Sequence, residues 1–194
     1  MSPRDRPKSG LATFGSAGLL SIDSAGLFCS ARCPGTLVLQ AYDLARSFRD
    51  GGLPVVGGFH APMERDCLDL LLRGTQPVVL CLARSLERMR IPVAWQPAID
   101  ARRMLLVSQF PEGVRRVTAA TAEQRNQLVA DLAKALMVIH AVPNSHTMAL
   151  CERALAAGKP VFALDSPHNA GLEQIGVRLI SPSDVSPLKE ALDE

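Results

Sequence analysis

Short apolar runs alternate with stretches of helical period along most of this chain, and that alternation restricts the fold more than any other feature. Leu27-Phe28-Cys29 is the first clear apolar run, stopped by Pro34-Gly35. Leu37, Val38, Ala41, Leu44, Ala45 and Phe48 then recur at helical spacing, and Gly51-Gly52 ends that helix. Leu53 to Val56 reads as the next strand, followed by Gly57-Gly58 and a helix opened by Pro62. Pro77 to Leu82 is apolar throughout, the mark of a strand buried on both faces. Residues 84 to 103 are irregular, with a short helix expected after Pro92. Met104 to Val107, Leu136 to Ile139, Pro160 to Leu164 and residues 177 to 180 supply further strands. Helices are expected over Ala120 to Ala133 and Thr147 to Ala157. Such alternation implies right-handed crossovers. The expected fold is therefore α/β, with a mostly parallel sheet flanked by helices and the first strand central.

A chain of 194 residues suits one such domain. Residues 1–25, rich in Gly and Ser, read as a loose N-terminal head, with a short helix or strand around Leu19 to Ile22. Residues 26–182 carry the α/β pattern, and 183–194 read as a short acidic tail. A hydrophobic content of 47% against 21% charged residues supports a real core. The net charge of +2 argues against a protein that coats DNA by bulk basicity. Aromatic residues make up only 4%, so a single-strand reader with many stacking platforms is not expected. The cysteines (Cys29, Cys33, Cys67, Cys81 and Cys151) are odd in number and irregular in spacing, which argues against a disulfide framework. Cys29 and Cys33 form a lone pair with no second half, so no metal is expected. Arg4, Arg6 and Lys8 are followed by a glycine-broken stretch rather than a continuous apolar run, and no apolar stretch approaches a membrane span. The expected location is cytoplasmic, with reduced thiols and no membrane partner.

In a parallel α/β sheet, ligands sit outside the carboxyl ends of the strands where the strand order reverses. The residues after each strand therefore matter most. They are Ser30 and Arg32, then Gly57, Gly58 and His60, then Ser108 to Pro111, then His140, Ser145 and Thr147. Gly57-Gly58 before a helix allows backbone N–H groups to approach an anion, and the helix dipole favours phosphate there. Ser145 and Thr147 open another helix and offer hydroxyl donors, or serve as a plain N-cap. Arg32 supplies positive charge. His60 and His140 stand where a general base would, and Glu64, Asp66 and Asp69 lie on the second helix, where they either orient such a base or form a solvated face. Trp95 and Phe110 are candidates for base stacking, or plain core residues. Between residues 84 and 116 seven arginines face three acids, and from Asp165 onward six acids face two cations. That asymmetry fits a nucleic-acid path, a phosphorylated ligand or a solvated face with ordinary ion pairs. No Walker loop, Gly-x-Ser-x-Gly elbow or His-Glu-x-x-His helix is present, and no catalytic residue is assigned.

One further set of residues resembles a known family. Arg125-Asn126-Gln127-Leu128-Val129-Ala130-Asp131-Leu132-Ala133, leading to Val138-Ile139-His140-Ala141, is similar to the Arg-Asn helix and following strand of the DprA/Smf DNA-processing proteins. Ser108-Gln109-Phe110-Pro111-Glu112-Gly113 resembles that family's Ser-Glu-Phe/Tyr-Pro-x-Gly loop, and Gly158-Lys159-Pro160-Val161-Phe162-Ala163 its Gly-Arg-x-Val-Phe-Ala strand. Cys29-Ser30-Ala31-Arg32 is similar to its Gly-Ser-Arg turn, and Ser145 and Thr147 fall on its Ser-Gly-Ser/Thr turn. The chain departs from the pattern at three places. No Gly-Ile-Asp stands within Gly57 to Glu64, His140 replaces a glutamate, and His146 replaces a glycine.

The resemblance implies a Rossmann-like three-layer sandwich of the SMF/DprA–LOG (SLOG) type, here as a divergent stand-alone core domain. It implies a non-catalytic domain that binds single-stranded DNA, forms a homodimer, partners a strand-exchange recombinase and serves DNA-mediated transformation or recombination, with no cofactor. The contacts carried over are Ser30, Arg32, Gly57, Gly58, Phe110, Arg115, Arg125, Asn126, Ser145 and Thr147. The other reading within the same superfamily is a nucleotide-binding protein, either a sensor of a nucleotide-derived ligand or a nucleotide N-glycosidase using His60 or Glu64. The phosphoribohydrolase signature Pro-Gly-Gly-x-Gly-Thr-x-x-Glu is absent, which favours the binding reading.

Overall fold

The computed structural model describes residues 10–194. Eight strands form one sheet: β1 (Ala12–Gly15), β2 (Ala25–Phe28), β3 (Val55–Gly57), β4 (Val78–Cys81), β5 (Met104–Ser108), β6 (Ala135–Val138), β7 (Val161–Leu164) and β8 (Arg178–Ile180). Their order is β1-β5-β4-β3-β2-β6-β7-β8. Every neighbouring pair is parallel except β1 with β5. The helices are α1 (Gly35–Asp50), α2 (Pro62–Leu71), α3 (Gln96–Asp100), α4 (Ala119–Leu132), α5 (His146–Ala156), α6 (Ala170–Gln174) and α7 (Ser186–Asp193). The α/β reading with a central first strand holds: β2 lies between β3 and β6, inside the sheet.

The strand period of two sorts the core into two layers. Val78 and Leu80 of β4 join one cluster, together with Leu37, Leu44 and Phe48 of α1, Met63, Cys67 and Leu71 of α2, and Leu188 and Leu192 of α7. Val79 and Cys81 of the same strand join the other, with Leu128 and Val129 of α4, Leu150 and Cys151 of α5, and Leu172 of α6. Strands covered on both faces cannot afford polar positions, which is why their sequences are apolar without alternation. Burying Phe48 alone, which is fully enclosed, is worth about 2–3 kcal/mol.

Two terminal regions depart from expectation. The head is not loose where it is described. β1 pairs antiparallel with β5, with Ala12 opposite Ser108 and Gly15 opposite Leu105. A single 3-10 turn over Ala17–Ser21 then buries Leu19. Every residue of β1 is exposed, so no hydrophobic alternation announces it. Gly15 is required there: its φ is +114° and an added Cβ would lie 2.5 Å from the Met104 carbonyl oxygen. Residues 1–9 of the expected head lie outside the described residues. The acidic tail is also docked: α7 buries Leu188 and Leu192, and the Lys134 ammonium donates to Asp23 at 3.1 Å and to the Leu192 carbonyl at 3.0 Å. Among the described residues no helix is long and apolar enough to cross a membrane.

Candidate nucleic-acid interface

The sheet order reverses at β2. From β2 the chain proceeds outward through β3, β4 and β5, then α4 returns it to β6 on the other side of β2. The carboxyl ends of β2 and β6 therefore diverge, leaving a crevice. A cleft of about 340 Å³ occupies this place, walled by the Phe28–Arg32 turn, His60, Ala61 and Glu64, the Ala122, Arg125 and Asn126 face of α4, and the Val142–Thr147 segment. A larger recess of about 530 Å³ lies at the other end of the strands, between Gly51–Pro54 and α7. It lacks the converging strand-end loops.

The floor of the cleft is built around two buried charged side chains. Glu64 stands in the first turn of α2 and is 7% exposed. Its Oε1 accepts from the Cys29 N–H at 2.9 Å, and its Oε2 from the His60 N–H at 2.8 Å and the Ala61 N–H at 3.3 Å. One carboxylate thus ties the end of β2 to the turn after β3. Burial pushes the Glu64 pKa up, opposed by the N–H donors and by the charge of Arg125. Arg125 is 5% exposed. Its Nε donates to Asn126 Oδ1 at 2.7 Å and its Nη1 to the Gly58 carbonyl at 3.2 Å. Burial lowers its pKa and Glu64 raises it.

This packing explains the Gly57-Gly58 pair without a bound anion. A Cβ on Gly58 would lie 2.3 Å from the Arg125 guanidinium carbon, and one on Gly57 would lie 2.9 Å from the Phe59 ring. The next residue, Phe59, is buried and held at φ +44°, a left-handed conformation that costs a non-glycine about 1 kcal/mol or more. The turn is strained, and Glu64 and Arg125 lock it.

The lip differs in character. Arg32 is exposed. Ser30 is buried: its N–H donates to the His140 carbonyl at 2.8 Å and its Oγ accepts from the Val142 N–H at 3.1 Å, which joins the β2 and β6 turns. The Ser30 Oγ also reaches Thr147 Oγ1 at 3.5 Å. Ser145 is the N-cap of α5, its Oγ accepting from the Met148 N–H at 3.2 Å. Thr147 follows in the first turn. The start of α5 faces the cleft, with its uncompensated N–H groups and positive dipole end.

Other candidates lie apart from the cleft. Phe110 is 8% exposed and its N–H donates to Ser108 Oγ, so its ring is core and presents no face to a base. Arg115 is held by Glu87 at 2.8 Å, and the Gly113 N–H donates to the same carboxylate at 3.0 Å. Glu87 therefore clips the β4–α3 loop to the loop after β5, and Arg115 holds its pKa low. His140 is buried with its Nδ1 3.1 Å from Asn169 Oδ1. Asn169 also donates to the Ile139 and Leu164 carbonyls, so this pair is a strut between β6 and β7 rather than a base poised for chemistry. Nothing in the sequence pointed to Asn169. Glu64 had a signal, since Pro62 followed by Glu64 is the pattern of a helix N-terminus.

His60 is exposed, and its pKa is depressed by partial burial and then by Arg125 and Arg65. The neighbouring Cys33 thiol and burial push the pKa of Cys29 up, and the proximity of Cys29 lowers that of Cys33. Among the described residues no group of His, Cys, Asp and Glu side chains is placed to hold a metal ion.

The chain matches the family described as DNA recombination-mediator protein A over residues 6–186. Among solved structures it is similar to DNA processing protein A from Streptococcus pneumoniae, at 20% identity and a TM-score of 0.74, covering 89% of this chain but only 63% of that one. It is also similar to DNA processing protein A from Helicobacter pylori, a protein with a single-stranded DNA binding mode, at 17% identity and a TM-score of 0.73 over 97% of this chain and 87% of that one. The molybdenum cofactor carrier protein of Chlamydomonas reinhardtii shares the fold at 14% identity and a TM-score of 0.60, over 89% of this chain and 99% of that one. No curated protein matches the sequence. With the sheet order, the strand-end cleft and a family match that runs through nearly all of both, the chain belongs to the DNA recombination-mediator protein A family.

Proposed function

We propose that this chain holds single-stranded DNA at the strand-end cleft through phosphate contacts and performs no chemistry on it. The observation that carries the reading is the lip: exposed Arg32 stands beside the start of α5, where Ser145, His146 and Thr147 face the cleft. A backbone phosphate placed there meets a guanidinium fork and free helix N–H groups together. Two nearby titratable groups are engaged structurally, Glu64 by three N–H donors and His140 by Asn169. The Arg-rich loops after β4 and β5 leave the same edge of the sheet and extend the positive surface. Homodimer formation, a strand-exchange recombinase as partner, a role in transformation and a cytoplasmic location complete the proposal and rest on the resemblance alone.

A second reading has one observation in its favour. The cleft volume suits a single small ligand, and exposed His60, its pKa depressed by partial burial and by Arg125 and Arg65, stands at its wall. That reading is a nucleotide sensor or N-glycosidase. A binding panel separates the two. Oligothymidylate, duplex DNA and free mononucleotides are titrated at two salt concentrations, with product analysis. The proposal expects salt-sensitive affinity for the single strand and no released base. Selective mononucleotide binding, or release of a base, would replace it with the second reading.

A further inference from the structure

We infer that the Glu64 carboxylate is a built-in anion that closes the floor of the cleft, so that a ligand phosphate is admitted only at the lip. The inference rests on the proposal that the cleft takes a phosphorylated ligand, and it names what restricts that ligand's position. In a sheet of this topology, the peptide N–H groups at the ends of the central strands and before the helices that follow them are the ones open to an anion. Here three of them are occupied: the Cys29, His60 and Ala61 N–H groups all donate to Glu64. Both carboxylate oxygens act as acceptors, the pattern of an ionised group.

Glu64 also changes the value of Arg125. An arginine at the floor of a nucleic-acid cleft is ordinarily read as a phosphate contact. This one is 5% exposed, donates to Asn126 and to the Gly58 carbonyl, and lies within the field of the Glu64 charge. The floor therefore carries no net attraction for a further anion, whereas Arg32 at the lip is exposed. A carboxylate at the floor also repels any phosphate that enters deeper.

The test uses the whole chain, labelled with 15N, and two probes, oligothymidylate and inorganic pyrophosphate. On the wild-type protein the amide resonances of Val142 to Thr147 should move most on addition of either probe, and those of Cys29 and Ala61 should stay. Largest movement at Cys29 and Ala61 would overturn the inference, because phosphate would then be reaching the floor. The variant Glu64→Gln removes the charge and turns one acceptor into a donor. Its affinity for pyrophosphate should rise by about fivefold, and the Cys29 and Ala61 amides should now respond. A folded variant with no gain would reduce Glu64 to a helix cap and overturn the inference. If E64Q does not fold, Glu64→Asp takes its place: it draws the carboxylate back by one methylene and should give a smaller gain of the same kind, no gain again being the contrary result. If wild-type protein responds to neither probe anywhere, the DNA-holding proposal fails, and the gain or its absence in the variant still decides whether Glu64 closes the floor.

Discussion

Floor and lip of the same cleft are built on different physical principles. The floor is enclosed: Glu64 and Arg125 are nearly inaccessible, the carboxylate accepts from N–H groups at the end of β2 and in the turn after β3, and the guanidinium donates to Asn126 and to the Gly58 carbonyl. The lip is open: Arg32 and His146 are exposed beside the start of α5. A buried ionic cluster holds geometry, because losing one member strands the others without solvent. An exposed cation at a helix N-terminus offers its charge to a ligand at little folding cost. The same residue type, arginine, therefore serves architecture at one place and recognition at the other.

Substitutions separate these roles, and the largest effect belongs to the floor. Arg125→Ala leaves the Glu64 carboxylate buried without its positive neighbour and opens a gap over Gly58. It should cost about 3 kcal/mol of stability, or roughly 10 °C in Tm, with affinity per folded molecule little changed. Thermal melts and binding on the same preparation measure both. A variant that melts like wild type but has lost binding would transfer Arg125 to the recognition side.

Next comes the lip. Arg32→Ala should leave Tm unchanged and weaken single-strand binding about tenfold, the loss of one charge-assisted contact, and equally for unrelated sequences. Ser145→Ala removes the cap of α5 and should cost about 1 kcal/mol, visible in melts and as faster amide exchange at Met148.

His60 tests the junction of the two regions through pH. Its folded pKa lies below the ordinary 6.5 because of partial burial, Arg125 and Arg65. The folded state thus disfavours the charged ring. The contribution to stability is complete above the unfolded pKa and is lost as pH falls through about 6.5 toward the folded value. A bound phosphate opposes those causes, so binding takes up a proton and affinity should rise as pH falls below 6.5. NMR titration of the His60 ring with and without oligonucleotide reads this directly. A pKa that does not rise on binding would place the phosphate away from His60. The smallest effect is expected at Arg115→Ala, which breaks the exposed Glu87 clip and should leave Tm unchanged.

The layered fold was legible because strands buried on both faces must be continuously apolar, and Pro77 to Leu82 and Met104 to Val107 satisfy that without ambiguity. β1 was not, because an exposed four-residue edge strand carries no period and its pairing is made by backbone alone. The docking of α7 was half-written in Leu188 and Leu192, one turn apart, but an eight-residue helix among acids reads equally as a tail. The strand-end rule located Ser30, Arg32, Ser145 and Thr147 around one cleft. It could not tell a phosphate cradle from a tight contact at Gly58, since both need a missing side chain and only the position of Arg125 distinguishes them. Phe110 meets a related limit: an aromatic after a strand reads the same in sequence whether its ring turns inward or outward, and here it is buried.

The most direct test of the division between lip and floor is the salt dependence of oligothymidylate binding by wild-type protein and Arg32→Ala. For single strands the log–log slope changes by about 0.7 for each phosphate neutralised. The account predicts a salt-sensitive wild type and a slope shallower by about 0.7 in the variant, with an unchanged Tm. An unchanged slope in Arg32→Ala, with the loss appearing instead in Arg125→Ala at equal folded fraction, would contradict it.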